Sequence, residues 1–380
     1  MPVLAIAIAL AAGSAPADTT RPPALHPQQD VPALVVHRQP ELPVVALRLS
    51  LLADDPPGYA GAGHLFQHLV LPQLQEQVAR VGGRVQATRS ADAVVYTVVG
   101  PAAELDYLVA VLRSTLEPPP AGTAETLGAL RILAEERDAE RETAPRFVRA
   151  ALRSRLFPDE PPAAGTAGSA ARLETARLPE VWAAMYDPRR VSLVAVGDVE
   201  AAAVRRAFRG LPRGGGEAAA ALADSVPGFA GATPPQATRG WLGMGWNAPG
   251  ADPAALSVAG RLLEASLRRR VPAAQVDVEH WWTHDGQALA VVVAAPPANL
   301  AAARRALSGA LAALSPSEDA VREAAAVVRR DLLFYARTPE RMAEVLGSFA
   351  DREGADATQG FYAGLERVDA GAVLAVAALL

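Results

Sequence analysis

The sequence predicts an α+β protein of two tandem homologous domains, each a mostly antiparallel sheet covered by helices. Three observations carry this. Runs of β-branched and aliphatic residues alternate with helical stretches, without the regular spacing of βαβ units. The order of elements in the first half returns, in weaker form, in the second. Between the halves, residues 212–235 are dominated by Gly, Ala and Pro, the composition of an interdomain linker.

Taken in order, PALVVHRQ and PVVALRLSLLAD read as two strands joined by a turn at QPEL. A helix is expected from Gly61 to Val81, stopped by Gly82-Gly83. RVQATRSADAVVYTVVG reads as a hairpin turning near Ser90 to Asp92. Helices follow at 102–116 and 123–142, and another helical stretch begins at Pro145. LFPDEPPAAGTAGS is a loop, and a short helix at 178–186 leads through Asp187-Pro188 to the strand VSLVAVGD and a closing helix at 199–210. In the second half WLGMGWNAP is a strand, 252–270 a helix, and VDVEHWWTH with QALAVVVAAP a strand pair. Helices are then expected at 300–314, 317–337 and 339–350. The second domain, 236–380, has no counterpart to VSLVAVGD. It reads as truncated, with a neighbouring strand left as an unpaired edge that invites another chain.

With 380 residues, the chain is long enough for two cores; 51% apolar and 20% charged residues describe a globular protein. A net charge of −5 without any long basic run argues against nucleic acid as partner. All basic residues are arginine, read here as a coding bias. Residues 1–17 have a short apolar core followed by Ala15-Pro16-Ala17, the form of a secretory signal, which points to export and to a bacterial periplasm. The first domain then spans 18–211. No segment offers the ~20 apolar residues of a membrane span. The absence of cysteine excludes disulfides, thiolate zinc sites and cysteine catalysis.

The chemistry-bearing stretch is GAGHLFQHLVLP, residues 61–72. His64 and His68 stand four apart, so on a helix both imidazoles share a face and can hold one metal. In zinc hydrolases with the inverted pattern His-x-x-Glu-His, a glutamate general base stands where this chain has Gln67. A second pair, His280 and His284, also lies four apart, but on a strand and with Asp285 facing the other way, so it reads as a surface or packing pair.

GAGHLFQHLVL, GGRVQATRSADAVVYT, ILAEERDAERETAP and MYDPRRVSLVAVGDV, in this order, resemble the pitrilysin/insulinase family of zinc peptidases, which includes mitochondrial processing peptidase. The resemblance covers nearly the whole mature chain. It implies that His64, His68 and Glu136 are the metal ligands: two histidines and a carboxylate with an open position, the form of a catalytic zinc site. It also implies that Gln86 stands where relatives hold the substrate backbone with asparagine. Relatives offer an arginine and, seven residues on, a tyrosine to the substrate carbonyl; Arg268 can fill the arginine place, or be one of a solvated triplet with Arg269 and Arg270, and Gln275 stands at the tyrosine place. Glu135, beside Glu136, is read as a solvated helix residue.

The departures point away from catalysis. An amide at Gln67 has no basic lone pair near neutral pH, and loss of a general base typically costs about 10²–10⁴-fold. Ala129 replaces a second acid that supports the ligand helix in many relatives, and Gln275 replaces the tyrosine. The resemblance therefore implies a non-catalytic homologue whose zinc is bound weakly or not at all. It would complete the peptide-binding chamber of an active homologous subunit and help hold unstructured peptide, through main-chain hydrogen bonds at a sheet edge. Two alternatives stand beside it: a slow or conditionally active zinc endopeptidase that recruits another carboxylate, Glu135 or a partner's, and a structural scaffold subunit.

Overall fold

The computed structural model describes residues 34–90, 92–119, 122–186, 190–209, 228–232, 238–283 and 286–380. The expected leader at 1–17, the Asp187-Pro188 turn, most of the expected linker, and His284 and Asp285 lie outside the described residues.

The α+β class holds, as two sheets with helices packed against them. The first half contains β1 (Leu34–Arg38), β2 (Val44–Leu52), α1 (Ala62–Ala79), β3 (Arg84–Arg89) and β4 (Ala93–Pro101). These are followed by α2 (Leu105–Ser114), α3 (Thr123–Glu142), α4 (Ala144–Leu156), α5 (Ala167–Thr175), α6 (Leu178–Met185), β5 (Val191–Gly197) and α7 (Ala201–Ala207). The sheet runs β1-β5-β2-β4-β3; all pairs are antiparallel except β1 with β5.

The second half contains β6 (Gly228–Ala232), β7 (Gly240–Asn247), α8 (Pro253–Arg270), β8 (Gln275–Thr283) and β9 (Gly286–Ala295). Five helices complete it: α9 (Leu300–Ser308), α10 (Glu318–Tyr335), α11 (Pro339–Glu353), α12 (Ala357–Arg367) and α13 (Ala370–Leu379). Its sheet is antiparallel throughout, β6-β7-β9-β8. Two expectations are corrected here. Residues 228–232 lie within the stretch read as linker, yet they form β6. The want of a closing strand would leave a neighbouring strand of this sheet open, yet β7 is paired on its outer side with β6 along Gly228–Ala232. The Gly/Ala composition hid this strand, because the residues carry little β-propensity of their own. None of the described helices is long and apolar enough to cross a membrane.

Alternation along β2 sends Val45, Leu47, Leu49 and Leu51 to the core under α1 and α2, and Ala46, Arg48 and Ser50 to the opposite face. That opposite face is covered by α11, from the other half of the chain: Ala343 packs with Ala46, Val194 and Val196. The coverage is reciprocal. Helix α4 of the first half lays Val148, Leu152 and Leu156 on Ala288, Ala290 and Val292 of β9 in the second sheet. Asn247 Nδ2 donates to the Leu156 carbonyl at 2.9 Å and ties the end of α4 to β7.

The α11 seam is not wholly apolar. Arg48, nearly inaccessible in mid-sheet, donates Nη2 to Asp351 Oδ2 on α11 at 2.8 Å and also reaches Ser50 Oγ. Gly347 makes room for it, since a Cβ there would fall on the guanidinium. Breaking a buried pair strands one charge, whereas replacing both partners by apolar groups is often neutral. We expect Asp351→Ala to lower unfolding free energy by about 3–5 kcal/mol in urea titrations, and Arg48→Met/Asp351→Leu to recover most of that loss. An Asp351→Ala loss within about 1 kcal/mol, the size of an exposed pair, would deny the seam this role.

Candidate metal centre and the cavity beside it

Helix α1 is set in place from its N-terminus. Gly61 takes a left-handed conformation, φ 87°, that favours glycine, and the amides of Gly61 and Gly63 donate to the two oxygens of Asp55 at 2.7 and 2.8 Å. Asp55 is held in turn by Arg89 at the end of β3, at 3.2 Å, with both side chains almost fully buried; Arg89 also reaches the Ala53 carbonyl. A Cβ at Gly63 would press on this guanidinium. Pro72 lies inside the helix and offers no amide to the carbonyl of His68, four residues before it.

His64 and His68 stack one turn apart, with ring centroids at 4.8 Å and planes inclined by 25°. Glu136 arrives from α3, whose stripe of Thr126, Ala129, Leu130 and Leu133 packs into the core and then continues at helical spacing as Glu136 and Glu140. His64 Nε2 lies 3.1 Å from Glu136 Oε2, and His68 Nε2 lies 3.6 Å from Glu136 Oε1. Burial holds the His64 imidazole below its ordinary pKa, against the pull of Glu136; His68 and Arg89 act in the same sense as burial. His64 therefore keeps a neutral ring near pH 7.

These residues fit a divalent metal. Ligand atoms about 2.0–2.2 Å from a tetrahedral ion lie roughly 3.3–3.6 Å from one another, close to both contacts. His68 Nε2 is buried with no hydrogen-bond partner among the described residues, a cost that coordination would remove. His64, His68 and Glu136 form the one cluster of metal-ligating type among the described residues.

Gln67, between the histidines in sequence, points elsewhere. It is buried, its Nε2 donates to the backbone carbonyl of Ala87 on β3 at 3.2 Å, and its Oε1 is enclosed with no partner among the described residues. The Ala87 carbonyl can receive that amide but would repel a carboxylate in the same place. Ala129, where relatives carry a second acid, is buried among apolar side chains.

The centre opens into a cavity of about 510 Å³ between α3, α4 and β8, lined by His64, Glu136, Glu140, Arg149, Glu279 and Trp281 among others. Burial raises the Glu140 carboxyl, opposed by Arg146 and Arg141. Arg149 binds Glu279 at 2.6 Å and Asp277 at 3.5 Å, a bridge from α4 to β8. Arg153 pairs with Glu160 at 2.9 Å and lies over the Trp281 ring.

The other residues singled out from the sequence lie outside this cavity. Gln86 faces α11 rather than α1, and its amide donates to Glu340 Oε1 at 2.6 Å, where Arg84 also pairs. Arg268 is tied to Glu264 at 2.5 Å and to the Val276 carbonyl at 3.3 Å. Gln275 is exposed at the start of β8. Glu135 turns to solvent with Arg131, which removes it as a nearby substitute base. Asp55, Arg89, Glu140 and Trp281 were not singled out. Asp55 stands six residues before the helix cap Gly61, outside the N-cap position that sequence patterns mark, and the rest depend on contacts between distant segments.

His280 is half-buried, with Nε2 donating to Gln287 Oε1 at 2.8 Å and Nδ1 near Ser257 Oγ at 3.2 Å, and its ring stacks with Trp282. These contacts are packing contacts.

No family model matches the chain, and no curated protein sequence does. Solved structures do. The inactive domain of peptidase M16 from Pseudomonas fluorescens superposes with TM-score 0.72 at 15% identity, over 90% of this chain and 91% of that one. A protease from Helicobacter pylori gives 0.72 at 16% identity, covering 90% and 93%. A chain of complex III from Candida albicans gives 0.71 at 10% identity, covering 91% and 90%. The chain has the fold of M16 peptidase domains, and the resemblance read from sequence extends to architecture. That fold is shared by a protease, an inactive domain and a respiratory-complex chain, so the side chains must decide what this one does.

Two outcomes follow from the site. After incubation with Zn²⁺ and desalting, His68→Ala should retain at least about tenfold less zinc than wild type by mass spectrometry; equal, negligible zinc in both would mark the triad as vestigial. Burial pushes His280 down to about 4 from 6.5, so the unfolded chain takes up this proton first as pH falls. Its contribution is complete above pH 6.5 and fades toward pH 4, by roughly 3 kcal/mol. The stability difference between wild type and His280→Gln should shrink over that window; a constant difference would contradict it.

Proposed function

We propose that the protein is a non-catalytic homologue of M16 peptidases that acts as partner subunit to an active insulinase-like peptidase, completing a chamber that holds unstructured peptide. The observation that carries this reading is Gln67: beside an intact triad, the position of the base holds an amide already engaged by the Ala87 carbonyl. His64, His68 and Glu136 would hold Zn²⁺, which when bound polarises a carbonyl or acidifies a water. Gln67 cannot take a proton, and Arg268 and Gln275 do not reach the cavity, so the chain orients and encloses peptide without cutting it. The inactive M16 domain among the structural neighbours supports the non-catalytic part of this reading.

The experiment is a peptide-cleavage assay of the purified chain, alone and mixed with a homologue that has an intact His-x-x-Glu-His motif. The chain alone should show no zinc-dependent turnover, and the mixture should exceed the homologue alone. Turnover by the homogeneous chain that chelator abolishes and zinc restores would overturn the non-catalytic reading. No association and no gain in the mixture would overturn the partner role. For Gln67→Glu we expect a stability loss of roughly 1–3 kcal/mol in the metal-free protein, because the carboxylate meets the Ala87 carbonyl; thermal or urea unfolding at neutral pH measures it, and an unchanged midpoint would show that the side chain has room to turn away.

A further inference from the structure

The cavity beside the metal triad has a second wall with a chemistry of its own. Helix α4 presents Arg146, Arg149 and Arg153 into it, spaced i, i+3 and i+7 on one face. Two of these are already committed: Arg149 to Glu279 and Asp277, Arg153 to Glu160. Arg146 makes no hydrogen bond or ion pair with any described residue, although it lines the same cavity as His64 and Glu136. Its charge is felt only across space, by the Glu140 carboxyl. A guanidinium with a planar fork of donors, lining a cavity and in no direct ion pair with a described residue, matches a carboxylate. The same cavity is lined by Trp281 on the edge strand β8, whose ring lies under Arg153 and whose indole N–H donates to Glu279 at 2.9 Å. The volume, about 510 Å³, lies within the range of sites that enclose a small ligand or a chain terminus.

We infer that this cavity is a carboxylate-recognising subsite for peptide, with Arg146 holding the anion and Trp281 supporting the neighbouring side chain. The inference rests on the reading that the chain holds peptide, and it specifies which peptides. The carboxylate comes from the peptide's C-terminus or from an Asp or Glu side chain, and the two sources are separable. Arg149 and Arg153 set the wall that Arg146 completes; each is pinned by its own acid, so neither is free to take the ligand.

The test is fluorescence anisotropy with a labelled unstructured peptide of about ten residues on the full chain. Four forms are compared: free or amidated C-terminus, each with an internal Glu or Gln. Removing the recognised carboxylate should weaken binding about three- to tenfold, and the form that causes the loss identifies the source. Arg146→Ala should produce the same loss for the carboxylate peptide and none for the neutral one, while Arg155→Ala, exposed on another face of α4, should change neither. Arg146 is exposed, so a thermal melt matching wild type is expected and controls for folding. Peptide binding that ignores both the carboxylate and Arg146 would overturn the subsite and leave the peptide-holding reading standing. Absence of binding by every form, with and without Zn²⁺, would overturn both.

Discussion

Neither sheet of this protein can bury both faces with the helices of its own half. Each borrows one helix from the other: α11 covers the first sheet, and α4 covers the second. A sheet with one face against a core must give its other face to water or to a partner layer. β2 and β5 are buried on both faces, so they could not stand in a separate first domain without exposing Ala46, Val194 and Val196. The exchange makes the two halves a single packed unit. The Arg48–Asp351 pair fixes the register of that exchange, because the sheet supplies one charge and the borrowed helix the other.

The candidate site is a product of this exchange. Helix α3 brings Glu136 to the histidines while still packed on the first core; immediately afterwards the chain crosses as α4 to the second sheet. That crossing sets Arg149 against Glu279 and leaves the space between His64 and Trp281 as a cavity. The candidate metal triad is thus assembled within one half, whereas the room beside it belongs to both. Asp55 and Arg89 complete the arrangement from below, anchoring the first turn of α1 to the end of the edge strand β3. Gln67 fits the same frame: its amide joins α1 to β3 through Ala87, in the place where a base would have to stay unengaged. At this position the side chain makes a structural hydrogen bond.

Much of this was legible in the sequence. The i, i+4 spacing of His64 and His68 follows from helical geometry alone, and the amide at Gln67 removes base chemistry wherever the side chain points. Strand and helix positions were mostly readable because alternation and helical periodicity survive in β2, β4, β9, α3 and α8. Glu136 came from a resemblance of motifs, not from spacing, since nothing local links α3 to α1. The strand β6 was missed, as was α5, whose start lies in a stretch read wholly as loop. Gly- and Ala-rich segments carry too little side-chain signal to announce their partners.

What the sequence determined by itself was local: which segments become strands and helices, which residues could bind a metal, and which one could not act as a base. Those properties depend on residues within a turn or two, or on the chemistry of a single side chain. The tertiary structure decided everything that needs two distant segments. It sent Gln86 to the α11 side and Arg268 to Glu264, away from the cavity, and it pointed Glu136 inward and Glu135 outward. It also brought Arg146 and Trp281 to the lining of one cavity. A side chain's face and neighbours are fixed by the packing of whole layers, and the exchange of α4 and α11 between sheets is not written in any single stretch of the chain.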